Sequence, residues 1–398
     1  MKVLYVTHYG ILEPLGQSQI IPYLTGLADQ GHSIEIISFE KSNLLDQPER
    51  VSVQKGVLRS HNIAWHPRRY RGGSSILQLL ADLYQTSKEI RRRCADRRID
   101  LIHCRSHVPF FMAALGTAGL KVPLLFDFRG FLAEEYVDSG LWPVGGLRYH
   151  VTKKLERIFA RRSAAMVVLT EPGRQFLRSA YSLSPEKIFV IPCCVEQSRF
   201  RANPTPGPVG PGRSLRVVYS GSTIGRYNMS AIFDFFALLV QHRPGSQLTV
   251  LSSSASEKAK GLAQQSRLPK DSVSFQNLHY SQVPDVLTTQ DLGLFFLRGD
   301  LTLLVASPTK LGEYLASGLV VVAEERLGGI KEILADHGAG CLIDSSRPAT
   351  WPGVLQKALE LCDAPDFRER SQRVAASYFA LRTGVDTYAK AYEFAARR

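Results

Sequence analysis

Two long stretches of this chain repeat one rhythm, a short apolar run followed by a segment with helical spacing, and a Pro/Gly-rich interval separates them. That alternation is the signature of βαβ units, because a buried parallel strand needs a crossover helix to bring the chain back. Before the interval the strand candidates are Val3 to Thr7, Ile34 to Ser38, Leu101 to Cys104, Leu124 to Asp127, Met166 to Leu169 and Ile188 to Ile191. Between them Ile76, Leu79, Leu80, Leu83, Tyr84 and Ile90 form a stripe at helical spacing, as do Leu147, Val151, Leu155, Ile158 and Phe159. The interval, RANPTPGPVGPGRS from Arg201 to Ser214, has four prolines and three glycines and packs neither as helix nor as central strand. Strands resume at Leu215 to Ser220, Leu248 to Ser252, Val273 to Phe275, Leu292 to Leu297, Leu319 to Ala323 and Gly340 to Ile343. The expected fold is therefore α/β: two doubly wound Rossmann-like domains facing a cleft. They span 1–198 and 215–377, a 199–214 linker joins them, and a C-terminal helix near 378–398 packs back on the first.

A length of 398 residues suits two such cores of roughly 150 to 200 residues each. Hydrophobic residues at 44% and charged residues at 21% exclude a disordered or membrane-embedded class, and no apolar run approaches the roughly 18 residues that span a bilayer. With no signal peptide in view and six cysteines lacking any CxxC spacing, reduced thiols and a cytoplasmic location are expected. A net charge of +13 calls for an anionic partner, yet basic residues never interleave with aromatics in the manner of a nucleic-acid module.

In open parallel sheets ligands collect beyond the carboxyl ends of strands, so the residues that follow strands matter most. After the first strand comes THYGILEPLGQSQ, where Gly16 and Gln17 are phosphate-loop candidates ahead of a helix that Ser18 would cap and Pro22 would tolerate in its first turn. The second lobe opens with YSGSTIGRYN, in which Gly221 and Ser222 allow close approach and Arg226 offers a forked donor to a diphosphate. Further on, Lys310 and Glu313 lie three apart on one helix face, a cation for phosphate beside a carboxylate for ribose hydroxyls. After the strand Leu124 to Phe126, the run DFRGFLAEEYVDSGLW carries Asp127, Arg129 and Glu134 where an acceptor or sugar would sit. His103 and His107 show no metal triad, and no two aspartates stand two apart, so no metal is expected.

The stretch SPTKLGEYLASGLVVVA, from Ser307 to Ala323, resembles the donor-binding segment of family-4 glycosyltransferases of the GT-B fold. LYVTHYG, GHSIEIISF, IDLIHCRS, VIPCCVEQSRF, VYSGSTIGRYN and GGIKEILADHGAGCLI agree with that family in order and spacing along nearly the whole chain. The resemblance implies a retaining transferase that uses a nucleotide-diphosphate sugar as co-substrate, needs no metal or protein nucleophile, and holds the donor ribose through Glu313. It also implies that Asp127 serves as acceptor base or sugar-orienting group, since its segment looks like one found in bacterial polysaccharide-building members. Two positions depart from the pattern. Val305 stands where the family places its first glutamate, leaving Ser307 and Lys310 to fill that side, and Arg226 has no lysine five or six residues on. The catalytic set expected is thus Asp127, Arg129, Arg226 and Lys310, and the substrate-binding set Gly16, Gln17, Glu134, Gly221, Ser222, Ser307, Lys310 and Glu313.

Two rivals share these features, a nucleotide-sugar epimerase on the same fold and a non-catalytic basic nucleotide-binding protein. The acceptor expected is a glycan or a lipid-linked precursor at an anionic membrane surface. Basic residues of the first lobe support this: Arg148, Lys153, Lys154, Arg157, Arg161 and Arg162, then Arg68, Arg69 and Arg71 beside Trp65 and Tyr70, and the run Arg91 to Arg93.

Overall fold

The computed structural model describes residues 1–71, 76–200, 210, 212–252, 257–266 and 268–397. Residues 201–209 and 211, the bulk of the expected linker, lie outside them. The chain divides into two compact units, one formed by Met1–Glu135, Trp142–Pro192 and Leu381–Arg398, the other by Tyr136–Leu141 and Cys193–Ala380.

The first unit is built on a seven-stranded parallel sheet comprising β1 (Lys2–Thr7), β2 (Ser33–Lys41), β3 (Ile63–Tyr70), β4 (Leu101–Arg105), β5 (Leu124–Asp127), β6 (Ala165–Val168) and β7 (Ile188–Val190). Their order is β3-β2-β1-β4-β5-β6-β7, with Val3 opposite Ile34 on one side and Leu101 on the other. Val3, Leu4 and Val6 are fully buried, as continuous apolar strands covered on both faces must be.

β3 is the strand that the apolar pattern misses. Its text, IAWHPRRY, resembles a basic surface segment, but Pro67 is tolerated because the strand is an edge. Its cations are spoken for: Arg68 pairs with Glu89, Arg69 meets Asp46 through two bonds of 2.9 and 2.6 Å, and Trp65 is buried with its indole N–H donated to Ser38. Arg93 likewise lies between Glu35 and Glu89 at 2.5 and 2.6 Å, so Arg68, Arg69 and Arg93 are not free cations, whereas Arg71, Arg91 and Arg92 stay exposed.

Two helix expectations also change. Ser18 caps nothing: it lies within the helix Pro14–Gln19, and the chain breaks at Ile20 before a second helix, Ile21–Asp29, which carries Pro22 in its first turn. In the helix Leu147–Arg162 the residues that pack inward are Glu156, Phe159 and Ala160, while Leu147, Val151 and Ile158 face outward. In the helix Ile76–Arg97, Leu83 and Ile90 are buried, but Leu79, Leu80 and Tyr84 are exposed. The C-terminal helix Leu381–Ala396 belongs to the first unit, where Val385 comes so close to Gly26 that a Cβ there would stand 2.7 Å from it.

The second unit is a six-stranded parallel sheet, β8 (Arg216–Ser220), β9 (Gln247–Leu251), β10 (Val273–Gln276), β11 (Leu292–Phe295), β12 (Val320–Glu324) and β13 (Gly340–Ile343), in the order β10-β9-β8-β11-β12-β13. Apolar clusters cover both faces, one around Phe233, Phe235 and Phe236, the other around Tyr314, Leu315 and Phe379. Gly293 in β11 makes room for the Tyr314 ring, since a Cβ there would meet it at 2.4 Å. The Tyr314 hydroxyl in turn accepts the Ser220 N–H at 2.6 Å, which ties the helix Thr309–Ala316 to the carboxyl end of β8.

Candidate functional site

In the second unit, β8 runs out at Ser220 and the chain turns at Gly221 with φ of +144°. The Lys310 side chain lies directly against this glycine, for a Cβ at Gly221 would stand 2.0 Å from Lys310 Cε. Its ammonium sits 5.0 Å from the Tyr227 ring centroid and 5.5 Å from that of Phe295, a cation held by two aromatic faces. One helical turn on, Glu313 is only 6% exposed. Burial pushes its carboxyl above the usual glutamate range, and Lys310 and Arg199 pull it part of the way back. Arg199 stacks 4.2 Å from the Tyr280 ring, and burial, more than the nearby Glu313 charge, pushes that phenol up to about 12.

The other expected donor contacts divide. Arg226 has a guanidinium nitrogen, Nη1, shielded from solvent and without a hydrogen-bond partner among the described residues. Ser222 is occupied locally, its hydroxyl accepting from the Ile224 N–H at 3.3 Å and its carbonyl accepting from the Tyr219 hydroxyl. Ser307 faces Cys193, whose N–H donates to its hydroxyl oxygen at 3.0 Å. Val305 is 2% exposed, so the position of the family's first glutamate is a core position here and offers no polar group. Gly221, Lys310 and Glu313 are thus drawn together, with Tyr227 and Arg199 as neighbours the motif reading did not name. Their signal was faint: a tyrosine after Arg226 and an arginine in an irregular segment.

In the first unit Asp127 closes β5 and is completely buried. Around its carboxylate stand His103 at 3.4 Å, Arg105 at 3.3 Å, Arg129 at 3.4 Å and the Tyr388 hydroxyl at 3.2 Å. Burial alone would raise its carboxyl; Arg129, the His103 hydrogen bond and Arg105 outweigh it and hold the group well below the usual range. A carboxylate so placed is a poor proton acceptor and has no open face, so the acceptor-base role expected of Asp127 is corrected to that of an anchor for Arg105 and Arg129. Arg129 keeps 13% of its side chain exposed. Glu134 accepts from Tyr149 at 3.2 Å and pairs with Lys153 at 2.9 Å, and its Oε2 is buried without a hydrogen-bond partner among the described residues.

Gly16 requires a second correction. It is inside the helix Pro14–Gln19 rather than in a loop ahead of one, and a Cβ on it would meet the Gly10 carbonyl and Ile11 Cα at 2.4 Å. Its glycine character serves backbone packing. Gln17 donates to the Ile11 carbonyl at 2.7 Å and to Gln54 at 2.6 Å, bracing the same loop. The residue that truly shapes this loop is Glu40 at the carboxyl end of β2, whose buried carboxylate accepts the N–H groups of Ile11 and Leu12 at 2.8 and 3.1 Å.

The contact between Gly221 and Lys310 makes a prediction. Gly221→Ala should introduce about 1–3 kcal/mol of backbone strain at this positive φ and push the lysine off its aromatic seat. Donor KM should rise, and a variant with unchanged donor KM would show that Lys310 does not touch donor.

Residues 23–199 match Glycosyltransferase Family 4. The two sheets together have the GT-B fold seen in solved glycosyltransferase structures. A curated D-inositol 3-phosphate glycosyltransferase from Pseudarthrobacter chlorophenolicus is 25% identical over 372 residues, covering 88% of this chain and 83% of the relative. Among solved structures, sucrose-phosphate synthase from Thermosynechococcus elongatus superposes with a TM-score of 0.72 at 14% identity, covering 99% of this chain and 98% of the other. Anabaena Alr3699/HepE in complex with UDP and glucose gives 0.68 at 14% identity, with 98% of each chain covered. Among the described residues, no helix is long and apolar enough to cross a membrane.

Proposed function

We propose that this protein is a retaining, metal-independent hexosyl transferase whose second unit binds a nucleotide-diphosphate sugar and whose first unit binds a glycan or lipid-linked acceptor at the cytoplasmic face of a membrane. The observation that carries this reading is the cluster of Gly221, Lys310 and Glu313 at the carboxyl end of the second sheet, where open α/β sheets take their ligands. Lys310, with the shielded nitrogen of Arg226, meets the diphosphate, and Glu313 accepts hydrogen bonds from ribose hydroxyls. The bond from the anomeric carbon to the diphosphate oxygen breaks as the acceptor oxygen bonds to that carbon on the same face. The departing diphosphate takes the acceptor's proton while the two cations stabilise its charge. UDP as the donor nucleotide is supported by the Anabaena complex, and a polar, anionic acceptor by the relative's D-inositol 3-phosphate.

The test is a mass-spectrometric screen against uridine, guanosine and adenosine diphosphate sugars, with and without acceptor, in the presence of EDTA. Transfer that needs an acceptor and survives EDTA supports the reading. Donor converted to an epimer at many turnovers without acceptor makes the protein an epimerase, binding without turnover makes it a nucleotide-binding protein, and restoration by a divalent ion overturns metal independence.

A further inference from the structure

The helix Leu147–Arg162 has two faces that differ in kind. Its inward side carries Glu156, Phe159 and Ala160, with Lys153 reaching Glu134 at 2.9 Å and Glu156 at 2.7 Å. On the opposite side, spacings of four, three and four residues align Leu147, Val151, Lys154 and Ile158 along one stripe. The apolar members of that stripe are uncovered: Leu147 is 81% exposed, Val151 49% and Ile158 44%, and Val144 just ahead of the helix is 85% exposed. Arg148, Lys154, Arg157, Arg161 and Arg162 are exposed around it, while the helix's one acidic residue, Glu156, is buried on the other side. Among the described residues Arg148, Lys154 and Arg162 form no ion pair. Within the same unit the helix His107–Gly116 touches both this helix and Ile76–Arg97, whose outward residues Leu77, Leu80 and Tyr84 are also exposed.

We infer that the outward face of Leu147–Arg162 is a docking surface for anionic lipid, with Leu147, Val151 and Ile158 entering the headgroup boundary and the flanking cations meeting lipid phosphate. Apolar side chains uncovered in water and ringed by one sign of charge fit a surface that offers both hydrocarbon and negative charge. A second copy of the chain fits poorly, since two such helices face to face would set Lys154, Arg157 and Arg161 against their own counterparts. This deepens the lipid-linked acceptor reading and rests on it. It also gives the helix a double office: the surface that docks is the back of the one that holds Glu134.

The test uses the full chain with no substrate present, sedimented with phosphatidylcholine vesicles with or without phosphatidylglycerol, at low and high salt. Two variants, Val151→Glu with Ile158→Glu, and Arg148→Glu with Lys154→Glu and Arg162→Glu, change only exposed side chains. The parent should sediment with anionic vesicles alone and be released by salt, and each variant should lose partitioning about tenfold or more with its melting curve and donor binding retained. Equal binding to both lipids, binding to neither, undiminished binding by folded variants, or a concentration-dependent dimer that Val151→Glu dissolves would each overturn the inference. Because the readout contains neither donor nor acceptor, the two failures are distinguishable: loss of vesicle binding overturns the docking surface and leaves transfer to soluble acceptors untouched, whereas absence of transfer in the donor screen overturns the reading on which it rests.

Discussion

Glu313→Gln is expected to weaken donor binding by about 1–3 kcal/mol, roughly ten- to hundredfold, with no loss of thermal stability. The two halves of that expectation come from one fact: the carboxylate is buried with its pKa raised by desolvation, so its charge burdens the folded protein and is kept for something other than folding. The sign of the pH effect follows. Since the folded-state value is raised, the desolvation cost is present at neutral pH and is relieved as pH falls through that value. Ribose hydroxyls, by contrast, need the ionised form. Donor affinity of the parent should therefore fall on acidification at a pH above the ordinary glutamate range, and that of the glutamine variant should stay flat. Isothermal calorimetry at several pH values decides it, and a folded variant with parental affinity would remove Glu313 from the site.

The second large effect is expected at Asp127, and it is structural. Asp127→Ala should destabilise the first unit by about 3–5 kcal/mol, because it leaves Arg105 and Arg129 without their shared buried anion. With its folded pKa depressed, the aspartate's contribution is fully present above the unfolded carboxylate value and is lost only as pH falls through the lower folded one, so the gap between parent and variant should close in strong acid. Thermal unfolding followed by near-UV circular dichroism measures it, with the two units analysed as separate transitions. Asp127→Asn that melts with the parent yet has lost turnover would return Asp127 to the reacting centre.

These two residues mark how far the amino-acid pattern carries. Glu313 could be singled out because its pattern is local: a lysine three residues before it, a helix, a glycine stop and a β-branched strand all lie within one short segment, and the structure buries it beside that lysine. The alternation of apolar runs likewise located twelve of the strands, most of them buried on both faces, and the edge strands β7 and β10 by their apolar text alone. β3 escaped because an edge strand tolerates a proline and paired cations that a central one would not. Asp127 was picked out, but its buried setting escaped for a different reason. Its Tyr388 partner is 261 residues away, and no spacing rule links a strand end to a helix that distant. The stripe Leu147, Val151, Leu155, Ile158 and Phe159 was visible as a stripe, yet periodicity says only that apolar residues share a side; whether that side meets the sheet or the solvent depends on packing. Glu40 shows the same limit, since a carboxylate closing an apolar strand has no sequence mark that it will grip the N–H groups of a loop 28 and 29 residues earlier.

The return of Leu381–Ala396 to the first unit sets an order of events during synthesis. Tyr388 and Tyr392 supply hydroxyls to Asp127 and His103, at 3.2 and 2.8 Å, so the nascent chain must pass Tyr392 before that buried cluster can close. By then all of Cys193–Ala380 has been made, so the first unit, although it begins the chain, cannot finish its core ahead of the synthesis of the second. A released chain cut short of Tyr388 would therefore hold every residue of the second unit beside a first one still missing a side of its core.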